Sequence, residues 1–259
     1  MEEILKTVKE ASIIGGIVLK ENFRKVNEED IEEKHFKDFV SYVDKEAESR
    51  IVSYISSKFP SHRIVGEEGT EVGKEGEYEW YIDPLDGTKN YISGFPIFGV
   101  SVGVLKEGKP FAGAVYLPFF DSLYWACKNM GAFKNGERIR VSKRKDRKYC
   151  YLAYGFPSRA RRNIEIYWNI FKKLFGDVAS MRRPGAAAVD LCFLAEGIFD
   201  GLVEFELNPW DLVAGVIILE EAGGVCKLTK GFERATDIIA SNGLIQDYIE
   251  GVVREYIEV

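Results

Sequence analysis

Apolar residues recur every three or four positions through "EEILKTVKEASIIGGIVLKENFR", with acids and lysines between them. That spacing predicts an amphipathic helix over residues 2–24. The same period returns in "SYVDKEAESRIVSYISSKF", which predicts a second helix from Ser41 to Phe59, stopped by Pro60. Beyond it the period shortens. "HRIVGEE", "YEWYIDP", "FGVSVGVLKEGKPFAGAVYLP" and "DSLYWACK" are short runs rich in β-branched and aromatic residues, and they read as strands. From Tyr149 onward, strand-like and helix-like stretches alternate: "YCYLAYG", a helix around Asn163 to Phe175, "DVASM", the helix "AAAVDLCFLAEG", "FDGLVEFE", the helix "WDLVAGVIILEEAGG" and "DIIASN". Alternation of this kind predicts an α+β chain with sheets layered between helices. No linker or repeat breaks residues 1–259, so a single unit is expected, with a subdomain boundary near residue 145 in the charged segment "SKRKDRK" that separates 1–145 from 146–259.

Composition narrows the partners. A chain of 259 residues that is 46% hydrophobic can bury a large core. Its net charge of -6 leaves no basic field for a polyanion, so direct nucleic-acid binding is not expected. Cys127, Cys150, Cys192 and Cys226 are far apart and form no CxxC pair, which argues against zinc and for a reducing compartment. The amino-terminal segment carries too many charges for a signal peptide or a membrane span, and a cytoplasmic protein is expected. Gln246 is the only glutamine beside abundant Glu and Lys, a composition that points to a thermophilic source.

The chemistry gathers at the ends of the predicted strands. Glu67 and Glu68 follow "RIVG", Asp83 and Asp86 follow "YEWYI", and Asp211 opens the helix "PWDLVAG". Taken singly, "GEEG" is a surface acidic turn, "DPLDGT" a tight turn, and Asp211 a helix cap. Together they set hard oxygen donors where layered folds bind ligands, and such donors without Cys or His select magnesium or manganese. The stretch "GTEVGKEGEYE" reads as a mobile glycine-rich loop beside them.

The ordered set "GEE", "DPLDGT" and "PWDLVAG...EAGG" resembles the inositol monophosphatase superfamily, magnesium-dependent and lithium-sensitive phosphatases of sugars and inositol. The likeness runs from "KDFVSYVD" through "GAFKNGERIRVS" and "RRPGAAAVDL" to "DIIASN", and is greatest to bacterial members named for an extragenic suppressor protein. It implies a layered α-β-α-β-α sandwich, a homodimer, and two or three Mg2+ per site, with Mn2+ as a substitute. Glu67, Asp83 and the Leu85 carbonyl would hold one ion, and Asp83, Asp86 and Asp211 a second. A metal-activated water would attack phosphorus directly, oriented by Thr88 and Asp44, with Glu68 as a supporting group. Gly87 and Thr88 would offer N–H groups to the phosphate. Gly185, Ala186, Ala187, Glu204 and Asp211 would line the substrate, although many relatives carry Ser or Thr where this chain has Ala186; Arg182 and Arg183, just upstream, suit either a second phosphate or acids at a dimer face. The resemblance implies inositol 1-phosphate as substrate, then fructose 1,6-bisphosphate, then adenosine 3',5'-bisphosphate.

Of three rival classes, a plain structural or binding domain is disfavoured by the assembled carboxylates, and the other two have distinct signatures. Haloacid-dehalogenase phosphatases use D-x-D-x-T with a covalent aspartate, whereas this chain has D-x-x-D-G-T. Some bacterial relatives act as partners in transcription or RNA processing, a role that the net negative charge argues against only for direct RNA contact.

Overall fold

The structure, a computed structural model, describes residues 1–35, 38–156 and 163–257; Lys37, in the "KDFVSYVD" stretch, lies outside them. The first predicted helix is α1, Glu2–Asn22, with Glu2 and Glu3 in its first turn and Lys20 in its last, each offsetting the partial charge of its end. It ends two residues before the predicted limit, because Phe23 turns extended and Arg24 takes a left-handed φ of 63°. The second is α2, Tyr42–Lys58, capped by Ser41 and closed at Phe59. Between them a hairpin that the hydrophobic pattern does not signal pairs β1 (Ile31–His35) with β2 (Asp38–Ser41).

Eight strands form the first sheet: β3 (Arg63–Gly66), β4 (Glu71–Val72), β5 (Tyr78–Asp86), β6 (Gly99–Lys106), β7 (Lys109–Leu117), β8 (Ser122–Cys127), β9 (Gly131–Lys134) and β10 (Glu137–Ile139). Their spatial order is β10-β9-β8-β7-β6-β5-β3-β4, antiparallel except for the β3–β5 pair. The expected loop over "GTEVGKEGEYE" is tied to this sheet. Val72 pairs with Ile64, and Arg63 reaches Glu71 at 2.8 Å and Glu79 at 2.7 Å. The β9–β10 hairpin turns at "KNGE", where Asn135 and Gly136 both have positive φ, the geometry that a two-residue Asn-Gly turn supplies.

The second sheet runs β12-β11-β13-β15-β14, built from β11 (Tyr151–Gly155), β12 (Ser180–Arg182), β13 (Gly201–Leu207), β14 (Val225–Leu228) and β15 (Thr236–Ser241). Two helices, α5 (Ala187–Ala195) and α6 (Pro209–Glu221), lie between the sheets. Helix α6 is buried from Leu212 to Leu219 with no polar stripe, as a helix covered on both sides must be. It lies close to the first sheet because Gly103 and Gly113 face it; a Cβ on either would come within 2.6 Å of Ala214. Helices α1 and α2 cover the outer face of the first sheet, and α4 (Ile164–Asp177) and α7 (Gln246–Arg254) that of the second. The layers read α-β-α-β-α. The charged segment near residue 145 is anchored: Arg144 Nε meets both oxygens of buried Asp200 at 2.8 and 2.9 Å.

Candidate active site

Strand β5 is buried as it approaches Asp83, and there its pairing slips. Asp83 faces Ser101 while Asp86 faces Gly99, so three steps on β5 match two on β6. Pro84, which has no N–H to offer a ladder, occupies the bulge. Asp83 Oδ1 accepts the Leu85 N–H across it at 2.9 Å. Gly87 follows with φ 88° and opens the short helix α3, Thr88–Ile92. A turn is therefore present, and it carries the carboxylates.

Glu67, just past β3, donates its N–H to the Ile82 carbonyl at 3.0 Å and so sits beside β5. Asp211 lies in the first turn of α6, where its Oδ2 accepts the Asn208 N–H at 2.7 Å. One oxygen from each of Glu67, Asp83 and Asp211 falls within 4.8 Å of the others. Burial, then the charges of Glu67, Asp86 and Asp211, push the Asp83 carboxyl well above the usual range. A divalent cation between these hard oxygens would relieve that repulsion, so the donor set fits magnesium or manganese.

Asp44 is buried, not a surface charge. It is the third residue of α2, and its Oδ2 accepts from the Ser41 N–H at 2.9 Å and the Ser41 hydroxyl at 2.6 Å. Its other oxygen, Oδ1, accepts the Thr88 hydroxyl at 3.3 Å, and the same hydroxyl lies 3.1 Å from the Leu85 carbonyl. Glu68 shares a turn with Glu67.

Asp86 stands apart from the three. Its oxygens accept the N–H groups of Ala187 at 3.1 Å, Ala188 at 2.8 Å and Val189 at 3.2 Å, so it closes the open end of α5. Burial pushes its carboxyl up to about 7 against the pull of the Val189 N–H. Ala186 is buried at the same helix end, with its Cβ 3.1 Å from where a Cβ on Gly87 would lie. Gly185, exposed and with φ 84°, precedes it.

Glu204 reaches the site from β13. Burial and the Asp211 charge push its carboxyl up to about 7, with Arg183 opposing, and its buried Oε2 has no hydrogen-bond partner among the described residues. Arg183 is exposed; its Nη2 donates to the Phe156 carbonyl at 2.7 Å and its guanidinium lies over the Phe156 ring.

Two polar residues outside the sequence-derived set hold these pieces together. Ser101, opposite Asp83, donates to the Trp210 carbonyl at 3.2 Å and so fixes the turn that carries Asp211. Asn90 Nδ2 bonds the Ile97 carbonyl at 2.7 Å and the Pro184 carbonyl at 2.8 Å, tying the Gly185 segment to α3. Neither has a sequence signal, because both act on carbonyls remote in the chain.

The profile of the inositol monophosphatase family matches residues 1–258. A "Fructose-1,6-bisphosphatase/inositol-1-monophosphatase" of Aquifex aeolicus is 57% identical over 259 residues, covering 100% of this chain and 98% of that protein. A "Nus factor SuhB" of Vibrio cholerae is 42% identical over 221 residues, covering 85% of this chain and 82% of its own. Among solved structures, the extragenic suppressor protein suhB of Bartonella henselae superposes with a TM-score of 0.92 at 32% identity, covering 98% of this chain and 100% of that one.

Proposed function

The chain belongs to the inositol monophosphatase family, and from that premise we propose that it hydrolyses phosphate monoesters of polyols and sugars, with inositol 1-phosphate as its first substrate. The convergence of Glu67, Asp83 and Asp211 from three separate elements supports this most. Glu67, Asp83 and the Leu85 carbonyl would hold one Mg2+, and Asp83, Asp86 and Asp211 a second. Three N–H bonds leave Asp86 about one lone-pair site of its four for a cation. Bound ions supply Lewis acidity and a lowered pKa for water.

The chain's own groups do the rest. With the Thr88 hydroxyl donating to Asp44, its oxygen is left to accept a hydrogen bond from the incoming water and so to aim that water at phosphorus. Water forms the new bond to phosphorus as the ester P–O bond breaks; one of its protons stays on the phosphate and the other goes to the leaving alkoxide, which would depart beside Asp211. Gly87 and Thr88 N–H groups would meet phosphate oxygens. Ring hydroxyls would pair with the buried, unpartnered Oε2 of Glu204 and lie along Gly185, Ala186 and Ala187. Arg183, at the exposed edge, suits a second phosphate. The name of the Aquifex relative supports fructose 1,6-bisphosphate as a second substrate, and adenosine 3',5'-bisphosphate is the third. A homodimer in the cytoplasm, inhibited by lithium, belongs to the same reading.

Phosphate release from these three substrates, with Mg2+ and with chelator, tests the proposal. Metal-dependent turnover of inositol 1-phosphate is expected; no release from any of the three would reject it. The Nus-factor name of the Vibrio relative favours a second role as a partner in transcription. Retention of transcription factors on the immobilised chain, in a variant without phosphatase activity, would separate that role from catalysis.

A further inference from the structure

Helix α2 places two carboxylates one turn apart on its buried face, Asp44 and Glu48, with side chains 1% and 2% exposed. Asp44 belongs to the Thr88 arrangement described above. Glu48 reaches the neighbouring turn. Its Oε2 accepts the Glu68 N–H at 2.8 Å and its Oε1 accepts the Thr70 N–H at 3.2 Å. That turn is closed by Gly66 N–H to the Thr70 carbonyl at 2.8 Å. Gly66 is close to the Glu48 carboxylate: a Cβ there would lie 2.4 Å from it, so the glycine of "GEEG" leaves room for this contact.

Glu67 is thus held from both sides. Its own N–H is fixed on the Ile82 carbonyl of β5 and the next N–H on Glu48. The need for such a hold is electrostatic: Glu67 has an oxygen within 4.8 Å of oxygens of Asp83 and Asp211, and like charge on neighbouring carboxylates pushes them apart. Hydrogen bonds from N–H groups to a charged carboxylate are roughly twice as strong as neutral ones and resist that push.

We propose that Glu48 is a positioning residue for the metal site, holding the Glu67 turn in its ion-binding geometry from behind. This rests on the phosphatase reading above. Loss of an outer partner of this kind costs roughly 10–100-fold in metal affinity. In Glu48→Gln an amide NH2 replaces one acceptor and confronts a backbone N–H.

Titration of the full chain with Mn2+ by calorimetry, without substrate, reads the effect, with the metal-induced rise in melting temperature as a second readout. The wild type should bind Mn2+, and E48Q should bind it roughly 10–100-fold more weakly and show a smaller rise on metal addition. The control Glu46→Gln, which changes a carboxylate paired with Arg50 at the surface, should bind as the wild type does. If E48Q does not fold, Gly66→Ala serves instead, because its Cβ displaces the same carboxylate. Affinity within twofold of wild type in the folded variant overturns the role of Glu48 and leaves the phosphatase reading standing. A wild-type chain that binds no divalent ion overturns both.

Discussion

At the scale of single residues, helix capping and the acidic site draw on the same side chains. Asp44 and Asp211 each sit third in a helix and each return an oxygen to the backbone of the residue before it, as an ordinary helix start requires. The same side chains face the site: the second oxygen of Asp44 accepts from Thr88, and Asp211 meets Glu67 and Asp83. The cap reading of Asp211 was therefore sound without exhausting it. Replacing Asp83 by Asn should lower phosphate release by at least about 100-fold. In chelator the same variant should melt at or above the wild-type temperature, because a neutral amide replaces a carboxyl whose ionisation is opposed by burial and by Glu67 and Asp211. Retention of wild-type turnover at limiting Mg2+ would remove Asp83 from the site. Under the proposed mechanism the Thr88 hydroxyl should matter more than its methyl. Thr88→Ser should keep most activity, and Thr88→Val should lose roughly 100-fold in kcat, measured at saturating substrate and metal; equal losses in both would assign Thr88 to packing.

Among the elements, α6 carries the greatest consequence. It brings Asp211 from the second half of the chain to strands of the first, and its distance from the first sheet is set by Gly103 and Gly113. Gly103→Ala places a Cβ 2.6 Å from the Ala214 nitrogen, so the helix must shift. Overpacking of this kind costs about 1–3 kcal/mol, seen as a lower denaturation midpoint. Because Asp211 rides on the same helix, Mn2+ affinity should fall in parallel; lost stability with unchanged metal affinity would show that the first turn of α6 moves independently. The strong periods of α1, α2, α4 and α6 were readable, since each alternates or saturates over many residues. The β1–β2 hairpin was not, because "IEEKH" has no apolar alternation, and β14 was not, because "VCKL" is a short run whose strand pairing depends on β15.

For the whole molecule, the carboxylates converge so strongly that the metal-free fold should be pH-sensitive. Asp86 and Glu204 both rise to about 7, chiefly through burial, from ordinary values of 3.8 and 4.5. Each holds its proton more tightly folded than unfolded. Their stabilisation is full below about pH 4 and is lost as pH rises through about 7. In chelator the melting temperature should fall between about pH 5 and pH 8, and Mg2+ should raise it more at the upper end. A profile in chelator that rises over this window would contradict the assigned environments. Sequence alone determined the helices with long periods, the ends of strands where acids collect, and the donor chemistry of Glu67, Asp83, Asp86 and Asp211, because periodicity and side-chain type are local properties. Tertiary structure alone decided that Asp86 closes α5, that Ser101 and Asn90 brace the site, and that Glu48 stands behind Glu67. Those facts depend on backbone groups far apart in the chain meeting in space, and no local pattern encodes which carbonyl or N–H a buried side chain will meet.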